Sequence, residues 1–174
     1  YDRAISINPT RVEAWYNKAN ALHEIGKWNE SVMCFDRVLE KTPGDKDAWF
    51  KKGVGLTKLG KPAEALECFG RVLEIDPLNA LAYYEKGLVM VHFQRKREAM
   101  EAFDKCVGIL PTNWEAWYQL GLLAYEAKDW NIAHKSFNRV TELNPTHPEV
   151  WGPRGETLLR LGKYIDAAQS FEKA

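Results

Sequence analysis

The sequence predicts an all-α solenoid of antiparallel helix pairs, and three observations carry that prediction. A step of 34 residues recurs along the 174-residue chain. Within each step the apolar residues fall at helical spacing. Glycine and proline then recur where one helix must stop and another start.

The step is visible by eye. "EAWYNKANAL" begins at Glu13, "DAWFKKGVGL" at Asp47, "LAYYEKGLVM" at Leu81, "EAWYQLGLLA" at Glu115 and "EVWGPRGETL" at Glu149, each 34 residues after the last. Self-similarity at a period of this size marks stacked supersecondary units. Pro9, Pro43, Pro77, Pro111 and Pro145 form one column, and Tyr1, Phe35, Phe69, Phe103, Phe137 and Phe171 another. Ala19, Gly53, Gly87, Gly121 and Gly155 form a third, and Ser31, Ala65, Ala99, Ala133 and Ala167 a fourth. Counted from Val12, the expected organisation is a single array, 1–174. It holds a tail of a preceding repeat at 1–11, full repeats at 12–45, 46–79, 80–113 and 114–147, and a truncated repeat at 148–174.

Each repeat reads as two helices. Trp15, Ala19 and Leu22 lie at i, i+4 and i+7, one face of a first helix. Gly26 offers a left-handed stop. Phe35, Val38 and Leu39 continue the pattern on a second helix, which Pro43 closes because proline cannot extend it. The small columns let the paired helices approach, and the Trp15 and Phe35 columns fill the space between them. Pro62 falls at a second-helix start, where its missing N–H costs nothing. Gln94 and Lys128 replace the turn glycine of Gly26, Gly60 and Gly162, which predicts tighter or less standard turns there. In "WGPRG", Gly152 and Pro153 interrupt a helix expected from Pro148, so that helix should kink or start late.

Composition narrows the function. Lys+Arg and Asp+Glu are 24 each, so no bulk charge draws the chain to nucleic acid. Hydrophobic residues at 45% belong to a folding chain. No apolar run reaches the ~18 residues of a membrane span, so no membrane partner is expected. Cys34, Cys68 and Cys106 form no disulfide framework and no metal-ligand spacing; they read as small core residues in a reducing, cytoplasmic setting, with a prokaryotic source. The chain shows no signal peptide and no initiator Met, which suggests a piece of a longer protein.

The pattern resembles the tetratricopeptide repeat (TPR) family. Trp117, Leu120, Gly121, Ala133, Phe137 and Pro145, with their counterparts one step away, carry the match, which runs the length of the chain. The resemblance implies a right-handed superhelix whose first helices line a concave inner surface that binds peptides. It implies a non-catalytic protein–protein interaction scaffold. The alternative is a non-catalytic TPR arm of a larger enzyme, such as a glycosyltransferase.

The aromatic residues divide by column. Trp15, Trp49, Tyr83, Trp117 and Trp151 are expected in the core; Trp28, Trp130 and Tyr164 are expected to pack at the second-helix start. Trp114 fits no aromatic column and is expected to be partly exposed. A second stripe runs beside the core stripe of each first helix: Tyr16, Asn20, His23; Phe50, Val54, Thr57; Tyr84, Leu88, Val91; and Tyr118, Leu122, Tyr125. One reading makes it the seam between neighbouring first helices. The other, by resemblance, makes Tyr16, Phe50, Tyr84 and Tyr118 an aromatic ladder along the peptide groove. The inner-facing positions that the resemblance implies carry eight acids (Glu13, Glu24, Asp47, Glu85, Glu115, Glu126, Glu149, Glu156) against Lys51, Lys58 and Arg160, a balance of −5. Such a groove suits an apolar segment with basic flanks. Equally, acids near helix N-termini are favourable on their own account.

One TPR subclass grips acidic chaperone tails with a carboxylate clamp. Its basic positions fall here on Tyr16, Leu81 and Glu85, or on Phe50, Glu115 and Gln119; only Asn20 matches, which argues against that ligand. "GLTKLGKP", Gly55 to Pro62, imitates a phosphate loop, but Pro62 stands where a magnesium-binding hydroxyl belongs and no strand precedes it. His23, His92, His134 and His147 show no metal-ligand spacing, and Asn29-Glu30-Ser31 is discounted as a glycosylation site because Ser31 lies in a packing column. No catalytic constellation breaks the periodicity, so no enzyme activity and no cofactor are expected. Single-stranded RNA binding is disfavoured by the acidic inner face. Both ends of the array should present uncovered solenoid faces, with Ile5, Val150, Leu158 and Phe171 under-covered, and end-to-end self-association follows as an expectation.

Overall fold

The computed structural model describes residues 1–8 and 10–174; Pro9, the first member of the proline column, lies outside the described residues. All regular elements among them are helical, and no strand is present. They are α1 (Asp2–Ile7), α2 (Val12–Glu24), α3 (Trp28–Lys41), α4 (Lys46–Lys58), α5 (Pro62–Ile75) and α6 (Ala80–His92). There follow α7 (Lys96–Ile109), α8 (Trp114–Glu126), α9 (Trp130–Leu143), a 3₁₀ turn (Pro148–Val150), α10 (Trp151–Arg160) and α11 (Tyr164–Phe171). The fold class is the helix-pair solenoid that the 34-residue step predicts. The chain divides into two compact units, Tyr1–Val89 and Met90–Ala174, so the last turn of α6 belongs to the second.

In both units the columns fill the core. Phe35, Phe69, Phe103 and Phe137 are fully buried. Their rings are admitted by the small columns opposite. A Cβ built on Gly53 would come within 2.7 Å of Phe69, and one on Gly121 within 2.7 Å of Phe137, closer than carbon atoms can sit. Ser31 is buried as well, and its hydroxyl donates to the Ala19 carbonyl across the α2–α3 pair at 2.9 Å. The tryptophan column is buried only at Trp117; Trp15, Trp49, Tyr83 and Trp151 are half-buried. The Trp49 indole donates to the Pro43 carbonyl at 2.8 Å, and the Trp117 indole to the Pro111 carbonyl at 3.0 Å. Each of these indole N–H groups finds its partner at a proline carbonyl just past the end of the preceding helix.

Three of the first helices, α4, α6 and α8, start on side-chain caps. Asp45 accepts from the Ala48 N–H, Asn79 from Ala82 and Asn113 from Ala116. In the last repeat His147 occupies this position and caps nothing. There the chain makes a 3₁₀ turn, and α10 starts late, at Trp151. Pro153 is thus the third residue of α10, where no intrahelical bond is lost.

The first helices end alike, which corrects the expectation for Gln94 and Lys128. Both adopt φ near +60°, the left-handed conformation of Gly26, Gly60 and Gly162. Lys128 N–H donates to the Tyr125 carbonyl and Asp129 N–H to Ala124, as Gly26 does to His23 and Lys27 to Leu22. This is one Schellman turn at every hairpin. The packed pair dictates it, and a side chain replaces glycine at a cost of about 1 kcal/mol.

Two further expectations are corrected. Tyr164 is exposed, 70%, rather than packed. Val150 and Leu158 are fully buried, because α9 and α11 close over α10; Phe171 remains exposed. The three cysteines form no disulfide and are buried in α3, α5 and α7.

Candidate functional site

The second stripe of the first helices lands at intermediate burial throughout. In the first unit Tyr16, Asn20, His23, Phe50, Val54, Thr57, Tyr84 and Leu88 are half-buried; in the second, Val91, Tyr118, Leu122 and Tyr125 are. Three rings of the first unit lean on their own helix pairs. Tyr16 meets Phe35 edge-on with centroids 6.0 Å apart, Phe50 lies 5.8 Å from Phe69, and His23 stands against Trp28 at 4.9 Å. Neither extreme holds: the stripe is neither sealed core nor a free ladder.

The polar members tie neighbouring first helices together. Lys51 Nζ on α4 donates to Asn20 Oδ1 on α2 at 2.7 Å. In the second unit the Tyr118 hydroxyl on α8 donates to Glu149 at 3.3 Å, and the Tyr125 hydroxyl donates to Glu156 on α10. All three pairs are separated by 31 residues, so one register sets each seam. His147 completes the second seam, with its ring 4.6 Å from Tyr118 and 5.0 Å from Trp114. Trp114 is accordingly half-buried. Sequence reasoning weighed His147 only as a metal ligand; three residues of its column, Asp45, Asn79 and Asn113, are helix caps.

The electrostatics follow from this packing. Burial raises the Tyr16 phenol above its ordinary pKa, and Asp45 and Asp47 add to it. Tyr118 is raised by burial and then by Glu149; Tyr125 is raised by its hydrogen bond to Glu156 and then by burial. His23 is lowered by burial, with Lys51 contributing. Glu85 on α6 is half-buried, and its carboxyl is raised by burial against an opposing pull from Lys58. Glu85 stands in Lys51's column and Val54 in Asn20's, so the amide that meets Lys51 has no counterpart there. Of the acids counted for the groove, Glu126 is drawn off to Lys96 at 2.8 Å, and Glu156 is shared with Arg160 at 3.5 Å. Among the described residues, no group of three or more His, Cys, Asp or Glu side chains is placed to hold a metal ion, and no helix is long and apolar enough to cross a membrane.

A chain of repeated helix pairs with small-residue contacts inside each pair and polar ties between first helices is an α-helical repeat protein. Models of the tetratricopeptide repeat match residues 1–33, 47–79 and 114–147, together more than half of its length. The chain belongs to the tetratricopeptide repeat family. No curated protein sequence matches it. Solved structures similar to it include a MamA protein (19% identity, 93% of this chain and 88% of that one covered, TM-score 0.83). A MamA from Desulfovibrio magneticus RS-1 shows 21% identity over 93% and 92% of the two chains, with a TM-score of 0.81. YrrB, described as a TPR protein with an unusual peptide-binding site, shows 22% identity over 99% and 89%, with a TM-score of 0.83. At these identities the likeness is one of fold. Family and fold together support a protein-interaction scaffold.

Proposed function

We propose that the chain is a non-catalytic scaffold whose first helices bind an extended protein segment, apolar with basic flanks. The observation that carries this reading is the half-burial of the second stripe. Tyr16, Phe50 and Tyr84 in the first unit, and Tyr118 in the second, are half-buried and so keep part of their surface open. Around them stand Asn20, His23, Val54, Leu88, Val91, Leu122 and Tyr125 as the remaining contacts of each unit's face. Half-buried aromatic rings are side chains that interfaces favour, and the three tyrosines add a polar atom at the tip. The peptide-binding site ascribed to YrrB, a protein of the same fold, adds to the case.

The test compares this chain with a Phe50→Ala/Tyr84→Ala/Tyr118→Ala variant against a diverse peptide library, with helicity and melting followed in parallel. Loss of binding at unchanged helicity supports the reading. Equal binding overturns it and moves recognition off the first helices.

A further inference from the structure

The second unit carries a feature found in one repeat alone. The column Lys18, Lys52, Lys86, Leu120, Arg154 is cationic except at Leu120. The column Glu30, Glu64, Glu98, Ile132, Asp166 is acidic except at Ile132. Both exceptions line one cavity of about 310 Å³ between α7 and α9, floored by Trp117 and Leu120 and walled by Met100 and Ile132. That volume is at the small end of the range for ligand pockets.

Two polar groups there lack what their counterparts have. In two of the other repeats the cationic column serves its own pair. Lys52 meets Asp36 at 2.6 Å, Arg154 donates to Asn138 at 2.9 Å, and a second Arg154 nitrogen donates to Ser170. Sixteen residues separate Arg154 from Ser170, and the same separation joins Leu120 to Ser136. Leu120 cannot donate, and the Ser136 hydroxyl, fully buried at the cavity wall, has no hydrogen-bond partner. Asp104, in the column of Asp36, likewise has Leu120 where Lys52 would be. A buried hydroxyl without a partner forfeits the bond that normally compensates its desolvation.

We propose that this cavity seats a tryptophan side chain of a protein partner, presented beside a basic residue. The ring packs on Leu120, Met100 and Ile132 and takes the place of the Lys135 ammonium, which lies 5.5 Å from the centre of the Trp117 ring. Its indole N–H donates to the Ser136 oxygen once a flexible rim side chain, Met100 or Lys135, gives way. The neighbouring basic residue takes the place beside Asp104 that lysine holds in the sister repeat. The site stands apart from the first-helix stripe and does not depend on it.

N-acetyl-Trp-Lys amide is the probe, titrated into the whole chain with methyl NMR as the readout. Saturable shifts at Leu120, Ile132 and Met100 are expected. Ile132→Glu and Leu120→Lys restore what the sister repeats carry, and each should weaken binding by about tenfold or more. Ser136→Ala should weaken the tryptophan probe by about tenfold and leave N-acetyl-Phe-Lys amide unchanged. N-acetyl-Trp-Glu amide should bind several-fold more weakly. If Leu120→Lys melts early, Ile132→Glu, at an exposed rim position, carries the test. Shifts that map elsewhere, the absence of saturable shifts, or undiminished binding to Ile132→Glu would each overturn the proposal.

Discussion

The α2/α4 seam of the first unit and the α8/α10 seam of the second use one register and different chemistry. The first joins an ammonium to an amide, Lys51 to Asn20; the second joins phenols to carboxylates, Tyr118 to Glu149 and Tyr125 to Glu156. A separation of 31 residues recurs because stacking fixes which positions of adjacent first helices meet. The residues at those positions are free to change as long as they suit each other. Repeat geometry therefore constrains a column's neighbours more tightly than its identity.

The largest way to break the comparison is to empty one seam. Tyr125→Ala removes a hydrogen bond and a ring contact with Trp130 (5.7 Å between centroids). It should cost the second unit about 2 kcal/mol, whereas Asn20→Ala should cost the first unit about 1 kcal/mol. Hydrogen exchange, which resolves the units, checks both. Comparable losses in the two units would mean that the seams hold by register alone.

The hairpin turns sharpen the same contrast. Lys128→Gly relieves a left-handed backbone that Gly26 adopts freely, and should stabilise the α8–α9 pair by up to about 1 kcal/mol. Thermal melting reads it, and an unchanged or lower midpoint would contradict the strain argument.

The smallest effect is in pH. His23 is held below the ordinary imidazole value, so the unfolded chain binds its proton first. Its contribution is complete above about pH 6.5 and is lost as pH falls below that value. His134 in the second unit is lowered too, by burial and then by Lys163 and Arg154, and shares this acid limb. Tyr118 and Tyr125 are raised, so their contribution is complete below about pH 10 and is lost above it. His23→Gln should flatten the acid limb of the first unit alone, and Tyr125→Phe the alkaline limb of the second, both followed by hydrogen exchange against pH.

Much of the fold was legible because the columns record it. Phe35 and its successors, with the small residues opposite, specify the helix pairs without any knowledge of their surroundings. The turns at Gln94 and Lys128 were not, since the local signal there is a missing glycine while the conformation is imposed by the packed pair. Val150 and Leu158 were misjudged from their place near the end of the chain, although two helices of their own neighbourhood cover them. The seam partners Glu149 and Glu156 were noted as charges and not as ligands of tyrosines, because a 31-residue offset is invisible in columns stepped by 34. The Leu120 and Ile132 exceptions, by contrast, were present in the sequence; they emerge when a column is read for the residue that departs from it.

The buried cysteines have a practical consequence. Burial pushes the Cys68 and Cys106 thiols up to about 11, leaving almost no thiolate at neutral pH. An alkylating reagent can therefore reach them only when their helix pairs come apart. Cys68 in α5 and Cys106 in α7 are thus natural timers, one in each unit, whose labelling rates would clock how often each part of the chain breathes.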